Sequence, residues 1–183
     1  MSDLPYGIGA EAYDQQGPPT CKQVSDILAE FIFLNTGDFY VALFFVGEKE
    51  IGVVSEALTQ KGFTPQPLFW YKVDLNTAGD PGRWTQAVEC AVLGILSTSA
   101  GSRNVQMSHP RDPTYRHNIV HGPALHKLSK HYGRDGVRVI NQHEKPEYVV
   151  QAMLGPYIKP GDTVIVAGSG VVKFGVCSPS VFT

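Results

Sequence analysis

Near the amino terminus, Asp3-Leu4-Pro5-Tyr6, followed by Gly7, sets a carboxylate, a rigid ring and a flat aromatic side by side. Asp3 or a neighbouring backbone carbonyl can accept hydrogen bonds from an exocyclic amino group, which makes the nitrogen lone pair a better nucleophile. Pro5 fixes the backbone, and Tyr6 offers a face on which a flipped base can stack. The same residues also suit a plain turn with Tyr6 packed on a core. A second constellation is Val164-Ile165-Val166-Ala167-Gly168-Ser169-Gly170, a short apolar run entering a Gly-x-Gly turn. Glycines at such a turn let a nucleoside or its tail approach the backbone closely; a tight strand-to-helix turn is the simpler alternative. The third is Lys145, beside Pro146 at the start of a predicted helix. Pro146 suits a first helical turn, whereas a lysine there faces the unfavourable end of the helix dipole. Binding a carboxylate accounts for it, and so does an ordinary surface position.

Charge marks out a fourth region. The chain has 183 residues and a net charge of −2, but residues 103–138 hold seven Lys/Arg against two acids. Five of the six histidines fall there too. A local positive surface is what phosphate contact requires, and a solvated polar loop has the same composition. Arg111, Arg116, His117, Lys127 and Lys130 are the candidate nucleic-acid contacts in it. The string His117, His121, His126, His131 has intervals of four, five and five, which is not a standard ligand pattern, so no metal site is expected. Cys21, Cys90 and Cys177 are odd in number and widely spaced, which argues against a disulfide framework and for a reducing interior.

The elements that must position these residues follow from periodicity. Thr20 can cap a helix over residues 21–33, with Val24, Ile27, Leu28 and Phe31 recurring at three- and four-residue steps. Phe39–Val46 is a continuous apolar run suited to a strand buried on both faces. Residues 48–61 read as a helix that Gly62 stops. Residues 68–73 and 85–96 read as strands that pair in a hairpin. Residues 99–136 read as irregular, with a short helix near 124–131, and residues 137–140 as a short strand. Residues 145–155 read as a helix ended by Pro156 and Pro160-Gly161, and residues 163–166 as a short buried strand. The alternation predicts an α/β domain spanning 1–183 with a mainly parallel sheet and flanking helices. Ligands in such sheets sit at the carboxyl ends of strands. Eight apolar residues, the longest such run, cannot span a bilayer, and the first nine residues lack a signal-peptide pattern. A soluble, intracellular protein is expected.

Taken in order, the pieces resemble the amino-methyltransferase family that acts on adenine N6 or cytosine N4 of DNA, in the permuted arrangement where the DPPY-type motif precedes the cofactor motif. Asp3–Tyr6 matches that tetrapeptide with Leu4 in place of the first Pro. The stretch from Asn35 through Val41, Gly62-Phe63, Leu68-Phe69-Trp70-Tyr71-Lys72, Gln86-Ala87-Val88-Glu89, His143-Glu144-Lys145-Pro146-Glu147, Pro160-Gly161-Asp162 and Ala167-Gly168-Ser169-Gly170 follow in the family's order. The resemblance runs over residues 2–170 except 99–142, the place where such enzymes carry target-recognition elements.

The resemblance implies a Rossmann-like S-adenosylmethionine-dependent methyltransferase fold, possibly lacking strands. It implies Asp3, Pro5 and Tyr6 as catalytic residues. It places Lys145, Ala167, Gly168, Ser169 and Gly170 at the cofactor, S-adenosylmethionine, and makes DNA the partner. Departures are plain. The acid and Phe usual in the cofactor strand are replaced by residues 164–166, and no acidic residue follows Asp162. An incomplete or degenerate member is therefore expected. The alternative is a non-catalytic methyltransferase-like module: a partner subunit, a homo-oligomer, a DNA-binding scaffold or a structural component of a larger assembly. A nucleotide-binding enzyme that uses the Gly168–Gly170 turn for phosphate is less well supported, because no GxGxxG or GxxxxGK pattern is present.

Overall fold

The first helix begins where the sequence caps it. The Thr20 hydroxyl accepts from the Gln23 N–H at 3.2 Å, and Gln23 Oε1 accepts from the Thr20 N–H at 2.8 Å. This reciprocal capping box satisfies two orphan donors of helix α1 (Cys21–Phe33). The computed structural model describes the backbone of Ser2–Asp3 and residues 17–33, 39–73, 87–97, 117–123, 145–158 and 161–163.

Strand β1 (Ser2–Asp3) precedes α1, and strand β2 (Phe39–Val46) follows it. A 3-10 turn, Glu48–Glu50, leads into helix α2 (Ile51–Gln60). Gly62, at φ +83°, ends α2 as expected, a conformation an L side chain rarely adopts. The Phe63 N–H donates to Leu58 O and the Gly62 N–H to Thr59 O, both at 3.0 Å, a Schellman close with Phe63 packed in the same cluster as Leu58. Strands β3 (Thr64–Lys72) and β4 (Val88–Ser97) form the predicted hairpin. Strand β5 (Ile119–Gly122) and helix α3 (Glu147–Leu154), the latter extended by a 3-10 turn Gly155–Tyr157, complete the described elements.

The strands form one sheet in the order β1-β2-β4-β3-β5. β1 is parallel to β2 and β5 to β3, while β4 is antiparallel to both of its neighbours. The sheet is therefore mixed: four described strands point one way and β4 runs against them. The two longest ladders are antiparallel, which a simple alternation of strands and helices did not anticipate.

Two differences from the sequence reading have clear causes. β3 begins at Thr64, four residues before the expected start, and contains Pro65 and Pro67. Prolines argue against a strand interior because they remove ladder donors. Here they share parity with Phe69, whose N–H points to β5 and donates to Asn118 O at 2.8 Å. Their missing N–H groups thus lie on the side away from β4, and the β4 ladder stays intact. β5 itself lies inside the segment read as irregular. It is held by that bond, by Asn118 Nδ2 donating to Pro67 O at 3.2 Å, and by Trp70 Nε1 donating to Gly122 O at 3.2 Å.

Alternation along the strands builds two cores. One face packs α1 and α2 over Tyr40, Ala42, Phe44, Val46, Cys90 and Val92. The other packs α3 over Leu43, Phe45, Leu68, Trp70, Ala91 and Leu93. Gly94 permits the close approach of α2: a Cβ there would meet the Leu58 side chain at 2.5 Å. Thr163 is exposed and lies outside any strand, while the expected strand residues 164–166, the short strand at 137–140 and the helix near 124–131 lie outside the described residues. Among the described residues no helix is long and apolar enough to cross a membrane.

Candidate functional site

One rim of the sheet collects the carboxyl ends of β1, β2, β3 and β5 and the amino end of β4. The register fixes the neighbours there. Asp3 pairs with Phe45, Val46 with Cys90, Trp70 with Glu89 and Lys72 with Gly122. On the face that carries α3, this rim is charged. Lys72 Nζ and Glu89 Oε1 form an ion pair. Lys145, just before α3, brings its Nζ to 3.4 Å from Glu89 Oε2. Lys72 also sits over the Trp70 ring at 5.1 Å, and Lys145 over the Phe45 ring at 5.3 Å. Both distances are within the range of cation–π attraction.

The three charged side chains are mostly enclosed, at 17%, 23% and 7% exposure for Lys72, Glu89 and Lys145. Glu89 Oε2 is shielded from solvent and accepts no hydrogen bond, although Lys145 is within ion-pairing distance. The attraction between them is therefore Coulombic, without the alignment of a hydrogen bond. The local sequence explains the entry of α3. Pro146 sits at the N-cap with extended ψ of 140°, so Lys145 lies outside the helix. Glu147 occupies the first turn, where the dipole favours an acid. The unfavourable position read for Lys145 is thus relieved by its carboxylate partner.

Aromatic packing ties α3 to β5. Tyr148 meets Trp70 edge-on at 6.4 Å, and its hydroxyl donates to Pro123 O at 2.8 Å. A Cβ on Gly122 would collide with the Tyr148 ring, so this position takes no side chain without a shift. On the opposite face, burial pushes the Cys90 thiol above its ordinary value, helped by the negative charges of Glu48 and Glu89.

The residues singled out from the sequence fall into three groups. Lys145 is at the charged rim, and the Asp3 backbone ends β1 at the same rim, in register with Phe45. His117 is exposed just before β5. Pro5, Tyr6, Arg111, Arg116, Lys127, Lys130, Ala167, Gly168, Ser169 and Gly170 lie outside the described residues. Lys72 and Glu89 had no role assigned from sequence. The signal available was two adjoining strand segments, one ending in a lone Lys and one beginning with a lone Glu. Among the described residues no group of three or more His, Cys, Asp or Glu is arranged to hold a metal.

No protein-family model and no curated protein matches the chain. Among solved structures, the crystal structure of M1.HpyAVI is similar over 68% of this chain and 56% of its own, with 13% identity and a TM-score of 0.45. The crystal structure of the M1.HpyAVI–SAM complex is similar over 54% of this chain and 43% of its own, with 16% identity and a TM-score of 0.38. The chain thus spans about half the length of these structures.

Proposed function

We propose that the rim at the carboxyl ends of the strands is a methyl-transfer site, which binds S-adenosylmethionine and presents the exocyclic amino group of a DNA base, adenine N6 or cytosine N4, to it. One observation carries this reading. β1 delivers Asp3, the first residue of the DPPY-like tetrapeptide, into register with Phe45, and the ammonium of Lys145, from the segment before the predicted cofactor strand, lies over that same Phe45 ring. Two segments about 140 positions apart in the chain, each selected from sequence for the same chemistry, meet at one rim.

In this reading Tyr6 stacks the flipped base and Pro5 fixes the backbone beside it. Asp3 or a carbonyl of the tetrapeptide accepts a hydrogen bond from the amino group and orients its lone pair. The cofactor supplies a methyl already activated on a positively charged sulfur, so no covalent enzyme intermediate is needed. Asp3 or the tetrapeptide carbonyl that holds the amino group would take the proton its nitrogen loses on methylation and pass it to water. Ala167, Gly168, Ser169 and Gly170 would let the cofactor approach the backbone, and Lys145 would lie near its tail. Arg111, Arg116, His117, Lys127 and Lys130 bind phosphates and base edges. Catalysis is positioning and electrostatics.

The test is transfer of labelled methyl from S-adenosylmethionine to DNA by the chain and by Tyr6→Ala. Loss of a stacked aromatic worth about 1–3 kcal/mol should lower kcat/KM roughly tenfold or more. Equal transfer by the two proteins removes the stacking role, and a wild-type chain that binds DNA without transferring methyl replaces the enzyme by the non-catalytic module.

A further inference from the structure

The α2 face of the sheet is covered only in part. Phe69 still packs against the cluster under α1 and α2, but the row that continues from it does not. Tyr71, Val73 and Ile119 are 40%, 55% and 45% exposed, and His121 is exposed beside them. Register places these side chains together: Phe69 pairs with Ile119 and Tyr71 with His121. The Val73 N–H donates to Gly122 O at 3.3 Å, as the Phe69 N–H does to Asn118 O, so the alternation of β3 carries through Val73. Adjoining apolar side chains left open to solvent are the pattern of a contact surface. The Tyr71 and His121 rings meet at 5.6 Å with a tilt of 67°. An edge contact of this kind takes one ring's edge and at most one face of the other, which leaves flat ring surface for a further partner.

Charge selects the class of partner. Neither β3 nor β5 contains an acidic residue. β5 lies inside residues 103–138, which hold seven Lys/Arg against two acids, and Arg116 directly precedes the exposed His117 in the chain. Open aromatic rings next to a basic stretch suit a polyanion whose units carry flat rings. We infer that Tyr71 and His121 form a stacking platform for the bases of an unpaired DNA strand, with Ile119 and Val73 as its apolar floor. The platform is at the same rim as the proposed methyl-transfer site, on the opposite face and towards the β5 edge of the sheet. It therefore takes nucleotides other than the one presented for methylation. The choice of DNA rests on the proposed function; the stacking does not.

Fluorescence anisotropy with a labelled oligothymidylate of about 15 nucleotides tests the platform. Tyr71→Ala and His121→Ala should each weaken binding about fivefold or more, the loss of one stacked base. Tyr71→Phe keeps the ring and should stay within about twofold of the wild type. Should Tyr71→Ala fail to fold, Tyr71→Leu, apolar and without a ring, takes its place and should show the same loss. No binding by the wild type, or wild-type affinity in both alanine variants, overturns the inference. Self-association by light scattering that Tyr71→Ala abolishes also overturns it, by assigning the patch to a second copy of the chain. Tighter binding of an oligouridylate of equal length overturns the choice of DNA. Tyr71-dependent binding by a chain that transfers no methyl supports the platform and defeats the methyl-transfer reading. Methyl transfer by a chain whose affinity for the oligothymidylate ignores Tyr71 and His121 does the reverse.

Discussion

The two faces of the sheet are built from the same strands and end differently. Under α1 and α2 the core is apolar up to the rim, where Val46 and Cys90 are both nearly fully buried. Under α3 the equivalent positions on the other parity are Phe45 and Glu89, and the rim carries Lys72, Glu89 and Lys145. Burying apolar side chains drives folding without directional demands. Enclosing three charges costs desolvation that their mutual attraction only partly repays. The first face has the composition of a stabilising core, and the second accepts an expense at one edge alone, the edge where the strands' carboxyl ends gather. That asymmetry is the ground for proposing the site on the α3 face.

Leu58→Ala probes the apolar face and should give the largest effect. Leu58 is fully buried against the Gly94 surface, so urea unfolding should show a loss of about 2–5 kcal/mol. Ligand affinity measured below the new transition should be unchanged, and a comparable loss of affinity would mean that the faces are not separable. Glu89→Gln probes the charged rim. It keeps the shape and removes the carboxylate between two lysines, and should cost about 1–3 kcal/mol. A loss within the range of an ordinary surface substitution, about 0.5 kcal/mol or less, would reduce the network to packing. Cys90 gives the smallest effect. Its thiol pKa is raised in the fold, first by burial and then by Glu48 and Glu89. The contribution to stability is complete below the ordinary thiol pKa and falls as pH rises towards the raised value. Stability should therefore decline on the alkaline side, less so in Cys90→Ala. Native-state alkylation should modify the half-buried Cys21 and spare Cys90.

Much of the first face was legible in the sequence. The Thr20 cap, the apolar stripe of α1, the unbroken run of β2 and Gly62 all act through local rules, and each element lies where those rules put it. β5 was not legible. Ile119–Gly122 has two apolar residues in a polar, His-rich stretch, and its strand exists because β3, Trp70 and Tyr148 hold it. The start of β3 was hidden by prolines whose effect depends on which side of the strand is paired. In the candidate site, Lys145 stood out as a lysine at the wrong end of a helix, and its position at the rim follows from that same helix start. Its partner did not stand out, because the Trp70–Glu89 register is set by strand pairing across a connection whose sequence does not dictate the offset. Local signals name residues; the sheet decides which of them meet.

Isothermal titration of the wild-type chain with S-adenosylhomocysteine addresses the central claim most directly. Saturable heat with one site per chain, accompanied by a rise in melting temperature, is the predicted result. No heat and no thermal shift at millimolar ligand would contradict a methyl-transfer site at this rim.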